Sequence, residues 1–246
     1  MIPYFMSPLT QENSNIYVLR LRQLLGFVVT QNTSSKSAHN FIIYATFMSS
    51  RQKSGSRKES HIDPDFHRDD NLTIEIIVNK MNEGKGAALK AGFAKATGDI
   101  LMVQDADEEY SVKDYPALLS PFINEMVDVV YGSRNKLRKA FHTRYSYFSF
   151  YMGGIFLTWI VNFLYKTTLS DQATGYKLFS QKIKKILLQP SENGFSYEVA
   201  VTALISKSKY VIKEVPIHYS PRSMKEGKKI NALDFVKSVI TALKYI

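Results

Sequence analysis

Short apolar runs alternate along this chain with polar, glycine-rich and helix-length segments. Residues 74–78 (IEIIV) and 100–103 (ILMV) have the length and composition of strands, and the alanine-rich residues 87–96 lie between them. Short apolar runs bounded by turn residues are typical of buried strands. The order strand, glycine turn, helix and strand therefore predicts a β-α-β unit with short connections.

Further apolar runs extend this pattern toward the C-terminus. Residues 129–131 and 211–217 predict two more strands, and residues 41–47 are a candidate strand in the first third of the chain. Strands that alternate with helices indicate an α/β protein, in which a mostly parallel sheet is flanked by helices. Residues 71–246 are expected to form this domain.

The first third of the chain has a different composition. Residues 31–38 and 49–60 are polar, serine-rich and basic, which is typical of loops or disorder. We therefore expect residues 1–70 to be a divergent or replaced part of the chain that is partly disordered.

One apolar segment carries no charge at all. Residues 146–165 include eight aromatic side chains and have about the length that spans a bilayer. A single span would place Asp107 and Arg134 on one side of the membrane and Asp171 and Arg222 on the other, although these charged residues are candidates for one site. We therefore expect a pair of interfacial helices near residues 141–165, broken at Gly153-Gly154, with a buried core helix as the alternative.

The charge of the chain favours acidic partners, since its formal net charge is +10. No helix-turn-helix, zinc-finger or RNA-binding signature is present, so nucleic acid is not an expected partner. Basic residues cluster instead at positions 134–144 and 222–229, the first group directly before the apolar segment. Basic and aromatic segments together predict contact with an anionic membrane surface. The absence of cysteine excludes disulfides and thiolate metal sites.

Two acids, Asp105 and Asp107, follow the strand predicted at residues 100–103. Their i, i+2 spacing directs both carboxylates to one side of the strand tip, at the sheet edge where open α/β sheets bind ligands. Carboxylates there suit Mg²⁺ or Mn²⁺ carrying a diphosphate, because these cations prefer oxygen ligands. A solvated acidic turn is the alternative. Lys85 lies upstream in a glycine-rich helix start, which favours anions.

Six segments carry a pattern in a fixed order and spacing: residues 82–107, 128–134 (DVVYGSR), 171–179 (DQATGYKLF), 214–219 (EVPIHY), Pro221-Arg222 and 226–230 (EGKKI). Together they resemble the family 2 glycosyltransferases of the GT-A fold. Within that family they are similar to the polyprenyl-phosphate (dolichyl-phosphate) mannosyl- or glucosyltransferases. The resemblance covers residues 72–246. Of the two acidic motifs that open the family's domain, Ile2-Pro3-Tyr4 matches only the start of the first, and the second has no counterpart in residues 1–70.

The resemblance implies a Rossmann-like GT-A fold and inverting transfer of mannose or glucose. The donor would be GDP-mannose or UDP-glucose, the acceptor polyprenyl (dolichyl) phosphate, and the ion Mg²⁺ or Mn²⁺. The protein would act in protein glycosylation, bound peripherally to the cytoplasmic face of a membrane, the plasma membrane in a prokaryote or the endoplasmic reticulum in a eukaryote. The expected residues are, for catalysis, Asp107, Asp171, Arg134 and Arg222; for donor or phosphate binding, Lys85, Asp105, Arg144, Lys177, Glu198 and Lys228; and for the metal, Asp105, Asp107 and Glu109.

The acceptor determines whether a catalytic base is needed. A lipid phosphate is already anionic and needs positioning cations, for which Arg144, Arg222 and Lys228 are candidates. A saccharide hydroxyl needs a base, and Asp171 is the candidate for that alternative. Lys177 is as well explained by an ion pair that fixes a loop. A non-catalytic, membrane-associated remnant is the alternative from a different class, and a nucleotidyltransferase leaves the later segments unexplained.

Overall fold

The computed structural model describes residues 25–31, 41–47, 72–78, 82–105, 109–136, 148–221 and 232–246. The strands are β1 (Leu25–Gln31), β2 (Phe41–Phe47), β3 (Leu72–Val78), β4 (Ile100–Asp105), β5 (Val129–Ser133), β6 (Lys177–Ser180) and β7 (Ile212–Pro216). The helices are α1 (Lys85–Lys95), α2 (Tyr115–Asn124), α3 (Phe148–Tyr165), α4 (Lys184–Leu187), α5 (Tyr197–Lys207) and α6 (Ala232–Lys244), with 3₁₀ turns at Val112–Asp114 and Gln181–Ile183.

The strands form one mixed sheet in the order β3-β2-β1-β4-β6-β5-β7. β1 is parallel to β4 and β5 is parallel to β7, whereas β2 and β6 are antiparallel to both of their neighbours. The α/β class is confirmed. Among the described strands, all except β2 and β6 run in one direction. Because β2 and β6 each lie between two strands of the other direction, most neighbouring pairs are antiparallel. Only residues 32–40 separate β1 from β2 in the chain. This connection is too short for a parallel pair, because parallel neighbours need a crossover of about a dozen residues or more.

The predicted β-α-β unit is present, with longer strands than expected. The helix expected at residues 87–96 is α1, and it joins β3 to β4 across β1 and β2, which lie between those two strands. The candidate strand at residues 41–47 is β2. The first described strand is β1, whereas the Ile2-Pro3-Tyr4 match and most of residues 1–70 lie outside the described residues.

The sheet is buried on both faces around β4. Leu101 and Val103 face a core made with α1 and α5, whereas Ile100 and Met102 face a second core made with α2. A continuous apolar run is what a strand covered on both sides requires. The last residue of this run is followed by Gln104 and Asp105, so the strand changes from apolar to polar at the edge of the sheet.

Helix α3 is continuous through Gly153 and Gly154, so the predicted break into two helices is wrong. A Cβ atom at Gly153 would contact Phe235 of α6 at 3.9 Å, and one at Gly154 would contact Ala173 at 3.9 Å. Glycine inside a helix costs about 1 kcal/mol relative to alanine. Both distances are ordinary van der Waals contacts, so alanine would fit at either position and the packing of α3 does not require glycine.

Helices α3 and α6 pack side by side and expose an apolar surface. Their buried sides share a small core with α5, and the Phe156 and Phe235 rings lie 6.1 Å apart between the two helices. We define the exposed apolar surface by the residues that recur every three or four positions on each helix: Met152, Phe156, Trp159, Phe163, Leu233, Val236, Ile240 and Leu243. In the described part of the chain, no helix combines the length and the hydrophobicity needed to cross a bilayer.

Candidate active site

Asp105 ends β4, and Lys85 begins α1 directly beside it. The Lys85 Nζ atom lies 2.9 Å from Oδ1 and 3.0 Å from Oδ2 of Asp105, and 2.8 Å from Oε1 of Glu198. Burial alone would lower the pKa of Lys85, but the Asp105 and Glu198 carboxylates raise it above its usual value. Lys85 therefore carries its positive charge between two acids at the edge of the sheet.

Two glycines bring Lys85 to this position. Gly84 has a φ of 103°, which glycine adopts readily, and a Cβ atom there would lie 2.6 Å from the carbonyl oxygen of Asn193. At Gly86 a Cβ atom would lie 2.5 Å from the Cβ atom of Tyr197. The glycine-rich turn therefore serves the close approach of α1 to the start of α5, where Glu198 lies.

Glu198 also binds Lys177, the first residue of β6. The Lys177 Nζ atom lies 2.8 Å from Oε2 of Glu198, donates to the carbonyl oxygen of Thr174, and lies 5.1 Å from the centre of the Tyr131 ring. Burial would raise the pKa of Glu198, but Lys177 and Lys85 lower it to about 2. Burial lowers the pKa of Lys177, and Glu198 opposes that effect. Positive and negative groups therefore alternate along this buried cluster.

Arg134 and Asp171 form the second part of the site. Arg134 follows β5, and its Nε and Nη2 atoms each lie 2.7 Å from one carboxylate oxygen of Asp171. The backbone N–H of Arg134 donates to the same carboxylate at 3.0 Å, and the guanidinium carbon lies 5.1 Å from the centre of the Tyr219 ring. Burial would lower the pKa of Arg134, but Asp171 raises it above the usual value. This geometry is bidentate and charge-assisted.

The loop of residues 171–175 joins the two parts of the site to helix α3. The Gly175 N–H donates to the Tyr110 hydroxyl at 2.8 Å, and a Cβ atom at Gly175 would lie 2.5 Å from Oδ2 of Asp105. On its other side, the N–H of Gln172 donates to Oγ1 of Thr158 on α3 at 3.2 Å. One short loop thus contacts both the acid at the strand end and the helix that carries the exposed aromatic residues.

The structure brings six of the expected residues together within its described part: Lys85, Asp105, Arg134, Asp171, Lys177 and Glu198. Glu109 is buried, and its Oε2 atom accepts a hydrogen bond at 2.8 Å from the hydroxyl of Tyr219, whose ring lies against Arg134. The other expected residues lie outside the described residues: Asp107, Arg144, Arg222 and Lys228. In the described ranges, the structure contains no group of three or more histidine or acidic side chains that could hold a metal ion.

Two residues of this region were not given a role from the sequence. Tyr110 contacts the loop as described, and Glu214 of β7 accepts hydrogen bonds from the backbone N–H groups of Ser170 and Asp171. The sequence marks Glu214 in one way: it is an acidic residue within a predicted strand, directly before apolar residues. Its partners lie more than 40 residues earlier in the chain, so the sequence pattern does not reveal them.

The family expectation is confirmed by comparison with known proteins. The sequence profile of glycosyl transferase family 2 matches residues 55–187, more than half of the chain. The UDP-N-acetylglucosamine–dolichyl-phosphate N-acetylglucosaminyltransferase of Methanococcus voltae is 30% identical over 174 residues, which cover 64% of this chain and 64% of that protein. The dolichyl-phosphate beta-glucosyltransferase of Homo sapiens is 26% identical over 166 residues, which cover 64% of this chain and 49% of that protein.

Among solved structures, a glucosyl-3-phosphoglycerate synthase from Mycobacterium tuberculosis, in complex with Mg²⁺ and uridine diphosphate, aligns with a TM-score of 0.46. Its sequence identity is 17%, and the alignment covers 66% of this chain and 54% of that one. This chain spans about half to two thirds of the lengths of these three proteins. On the evidence of the profile match, the chain belongs to glycosyl transferase family 2.

Proposed function

We propose that this chain transfers a hexose, with inversion, from a nucleotide-diphosphate sugar to polyprenyl (dolichyl) phosphate at a membrane surface. The observation that carries the proposal is the position of the 171–175 loop. It lies against Asp105 at Gly175, and the N–H of Gln172 donates to Thr158 of helix α3. A reaction between a soluble donor and a lipid-borne acceptor needs a donor site this close to a surface that can meet a membrane.

Asp105 is the described residue best suited to the donor end. Its carboxylate ends a strand of an α/β sheet, is partly exposed at 16%, and faces a glycine rather than a larger side chain. Oxygen donors of this kind fit Mg²⁺ or Mn²⁺, which Asp105 and Asp107 would hold together. When bound, such an ion would neutralise the charge that develops on the leaving diphosphate. Lys85, already beside Asp105, would add a second positive charge there.

The geometry of Asp171 supports a phosphate acceptor over a saccharide hydroxyl. Both carboxylate oxygens of Asp171 accept hydrogen bonds from Arg134, and the residue is only 2% exposed. A carboxylate held in this way is poorly placed to take a proton from an incoming hydroxyl group. A lipid phosphate needs no such proton transfer. The Nη1 group of Arg134 has no acceptor among the described residues and is available to an anionic oxygen.

The exposed apolar surface supports the location at a membrane. Phe156, Trp159 and Phe163 stack along α3 with ring centroids 5.9 Å apart, and they are 52%, 60% and 73% exposed. The amphipathic ring of tryptophan is favoured at the depth of lipid head groups, and the phenylalanine rings gain by leaving water. The chain is also strongly basic, which favours anionic lipids. We propose peripheral attachment through this surface, on the cytoplasmic face, as the resemblance implies.

The first test is calorimetric titration of the protein with GDP-mannose, UDP-glucose and UDP-N-acetylglucosamine in the presence of Mn²⁺. Binding of one donor that is lost in Asp107→Ala and on chelation of the metal would support the proposal. Asp99→Ala is the matched control, because Asp99 is an exposed acid directly before β4. A folded protein that binds none of the three donors would contradict the proposal and favour the non-catalytic alternative.

A donor that binds should then be tested with dolichyl phosphate and with a free saccharide as competing acceptors. A β-linked lipid-phosphate sugar is the expected product, since one displacement on an α-linked donor inverts the anomeric carbon. Transfer to the saccharide alone would favour the hydroxyl-acceptor alternative.

A further inference from the structure

Glu214 has a buried carboxylate that lies against the entry of the 171–175 loop. Its side chain is 4% exposed, and it is the third residue of β7. The Ser170 N–H donates to both of its oxygens at 2.9 Å, the Asp171 N–H donates to Oε1 at 3.0 Å, and the Ser170 hydroxyl donates to Oε2 at 2.8 Å. The carboxylate therefore fixes two consecutive backbone groups.

The sheet register explains this placement. β5 and β7 are parallel, with Glu214 paired to Tyr131 and Pro216 paired to Ser133. Arg134 follows Ser133 directly, so Glu214 lies on the neighbouring strand close to the end of β5, where Arg134 begins the next segment. Lys136 adds a cation, with its Nζ atom 3.5 Å from Oε2 of Glu214. Glu214 and Arg134 thus bind the same short segment from two sides.

From these contacts we infer that Glu214 is a positioning residue for the transfer reaction, acting through Asp171 on the guanidinium of Arg134. Glu214 holds the backbone of Ser170 and Asp171, and Asp171 in turn holds Nε and Nη2 of Arg134. The guanidinium plane is then fixed between this carboxylate and the Tyr219 ring, and Nη1 is directed away from Asp171. The inference rests on the proposed function, because Nη1 matters only if an anionic group binds there.

An amide in place of the Glu214 carboxylate would replace one of these hydrogen-bond acceptors by a donor. Glutamine has nearly the same shape, but one of its two terminal groups is a donor, and in either orientation that group would face the N–H of Ser170, which donates to both oxygens of Glu214. Hydrogen bonds to a charged acceptor are also stronger than those to a neutral one. Glu214→Gln should therefore release the loop entry while leaving the volume of the core unchanged.

The positioning is measured without any substrate, from hydrogen exchange of the Arg134 Nε–H by NMR. We expect Glu214→Gln to accelerate this exchange by about tenfold or more, as expected when a hydrogen bond to a charged group is weakened. Glu125→Gln is the matched control, because Glu125 binds the neighbouring residue Lys213 of β7 through an exposed ion pair. Unchanged exchange in Glu214→Gln would overturn the inference, whether or not the protein transfers a sugar.

The consequence for the reaction is measured by a double-mutant cycle of Glu214→Gln and Asp171→Asn on transfer to dolichyl phosphate. If Glu214 acts through Asp171, the first change should lower kcat/KM by about 10- to 100-fold in the native background and by much less beside Asp171→Asn. Equal losses in both backgrounds would overturn the inference. Ser170→Ala, which removes only the hydroxyl contact, serves if Glu214→Gln fails to fold, with a smaller loss expected. Faster exchange in a protein without transfer activity would keep the positioning role and refute the proposed function.

Discussion

Gly175 lies against the carboxylate of Asp105 so closely that a Cβ atom at position 175 would be 2.5 Å from Oδ2. The same Cβ atom would lie 2.9 Å and 3.0 Å from ring atoms of Tyr110. Asp105 is held in place by Lys85, so it cannot turn aside without losing that ion pair. The missing side chain at Gly175 therefore lets the loop and the strand end meet at one point.

Replacing Gly175 by alanine should separate these two segments. We expect Gly175→Ala to lower kcat/KM by about tenfold or more and to destabilise the fold by about 1–3 kcal/mol, because an added methyl group must displace packed neighbours. Steady-state transfer and urea denaturation would measure the two effects. Gly194→Ala is the control, since no atom lies within 4 Å of a Cβ atom at Gly194. Equal activity of both variants would contradict the role given to Gly175.

The pKa of Glu198 predicts how stability responds to acid. Because this pKa is lowered from 4.5 to about 2 in the folded protein, its contribution is complete above about pH 5. It is lost as the pH falls from 4.5 toward 2. Glu198→Gln should lack this dependence and should be less stable at pH 7 by about 3–5 kcal/mol, because the buried Lys177 loses its carboxylate partner and Lys85 keeps only Asp105.

Urea denaturation at pH 7 and at pH 3 would test the behaviour of Glu198. Glu125→Gln is again the control, since that ion pair is exposed and should contribute less than about 1 kcal/mol. If Glu198→Gln kept the full acid dependence of the native protein, other groups would be responsible for it.

Trp159 reports directly on the proposed membrane surface, because it is the single tryptophan of the chain and is 60% exposed. Its fluorescence should shift to shorter wavelength when vesicles containing phosphatidylglycerol are added. Phe163→Ser should weaken vesicle binding by about tenfold or more, since burying a large apolar side chain contributes about 1.5–3 kcal/mol. Ile123→Ser, an exposed apolar position on α2, should have no effect. A fluorescence spectrum that does not change with vesicles would contradict contact through this surface.

The sequence was most informative about the residues that follow strands. Asp105 ends β4, Arg134 follows β5 and Lys177 begins β6, and all three lie at one edge of the sheet because of the strand directions. For Asp105 and Arg134 that convergence follows from the apolar runs and from the general geometry of α/β sheets, whereas β6, which carries Lys177, was not predicted. The identity of the partners within the site did not follow. Whether Lys177 binds a phosphate or a carboxylate depends on the position of Glu198, which lies on helix α5.

The features that the sequence did not predict depend on contacts between distant segments. The two glycines of α3 were interpreted as a break, but the helix is continuous and packs against α5 and α6, which lie far along the chain. The reversal of β6 between β4 and β5 likewise leaves no mark in its short apolar pattern. Local composition records how well a segment suits a helix or strand, but not which distant residue it approaches.

The register of β6 limits the 171–175 loop in a further respect. Lys177 pairs with Val103 across the antiparallel strands, so Gly175 lies opposite Asp105 two positions further on. Asp171 must then reach Arg134 within the four residues that precede Gly175. One inserted or deleted residue between Asp171 and Gly175 would uncouple the donor-side acid from the arginine without breaking any strand pairing. The number of residues in this loop is therefore as strictly specified as the identity of its side chains.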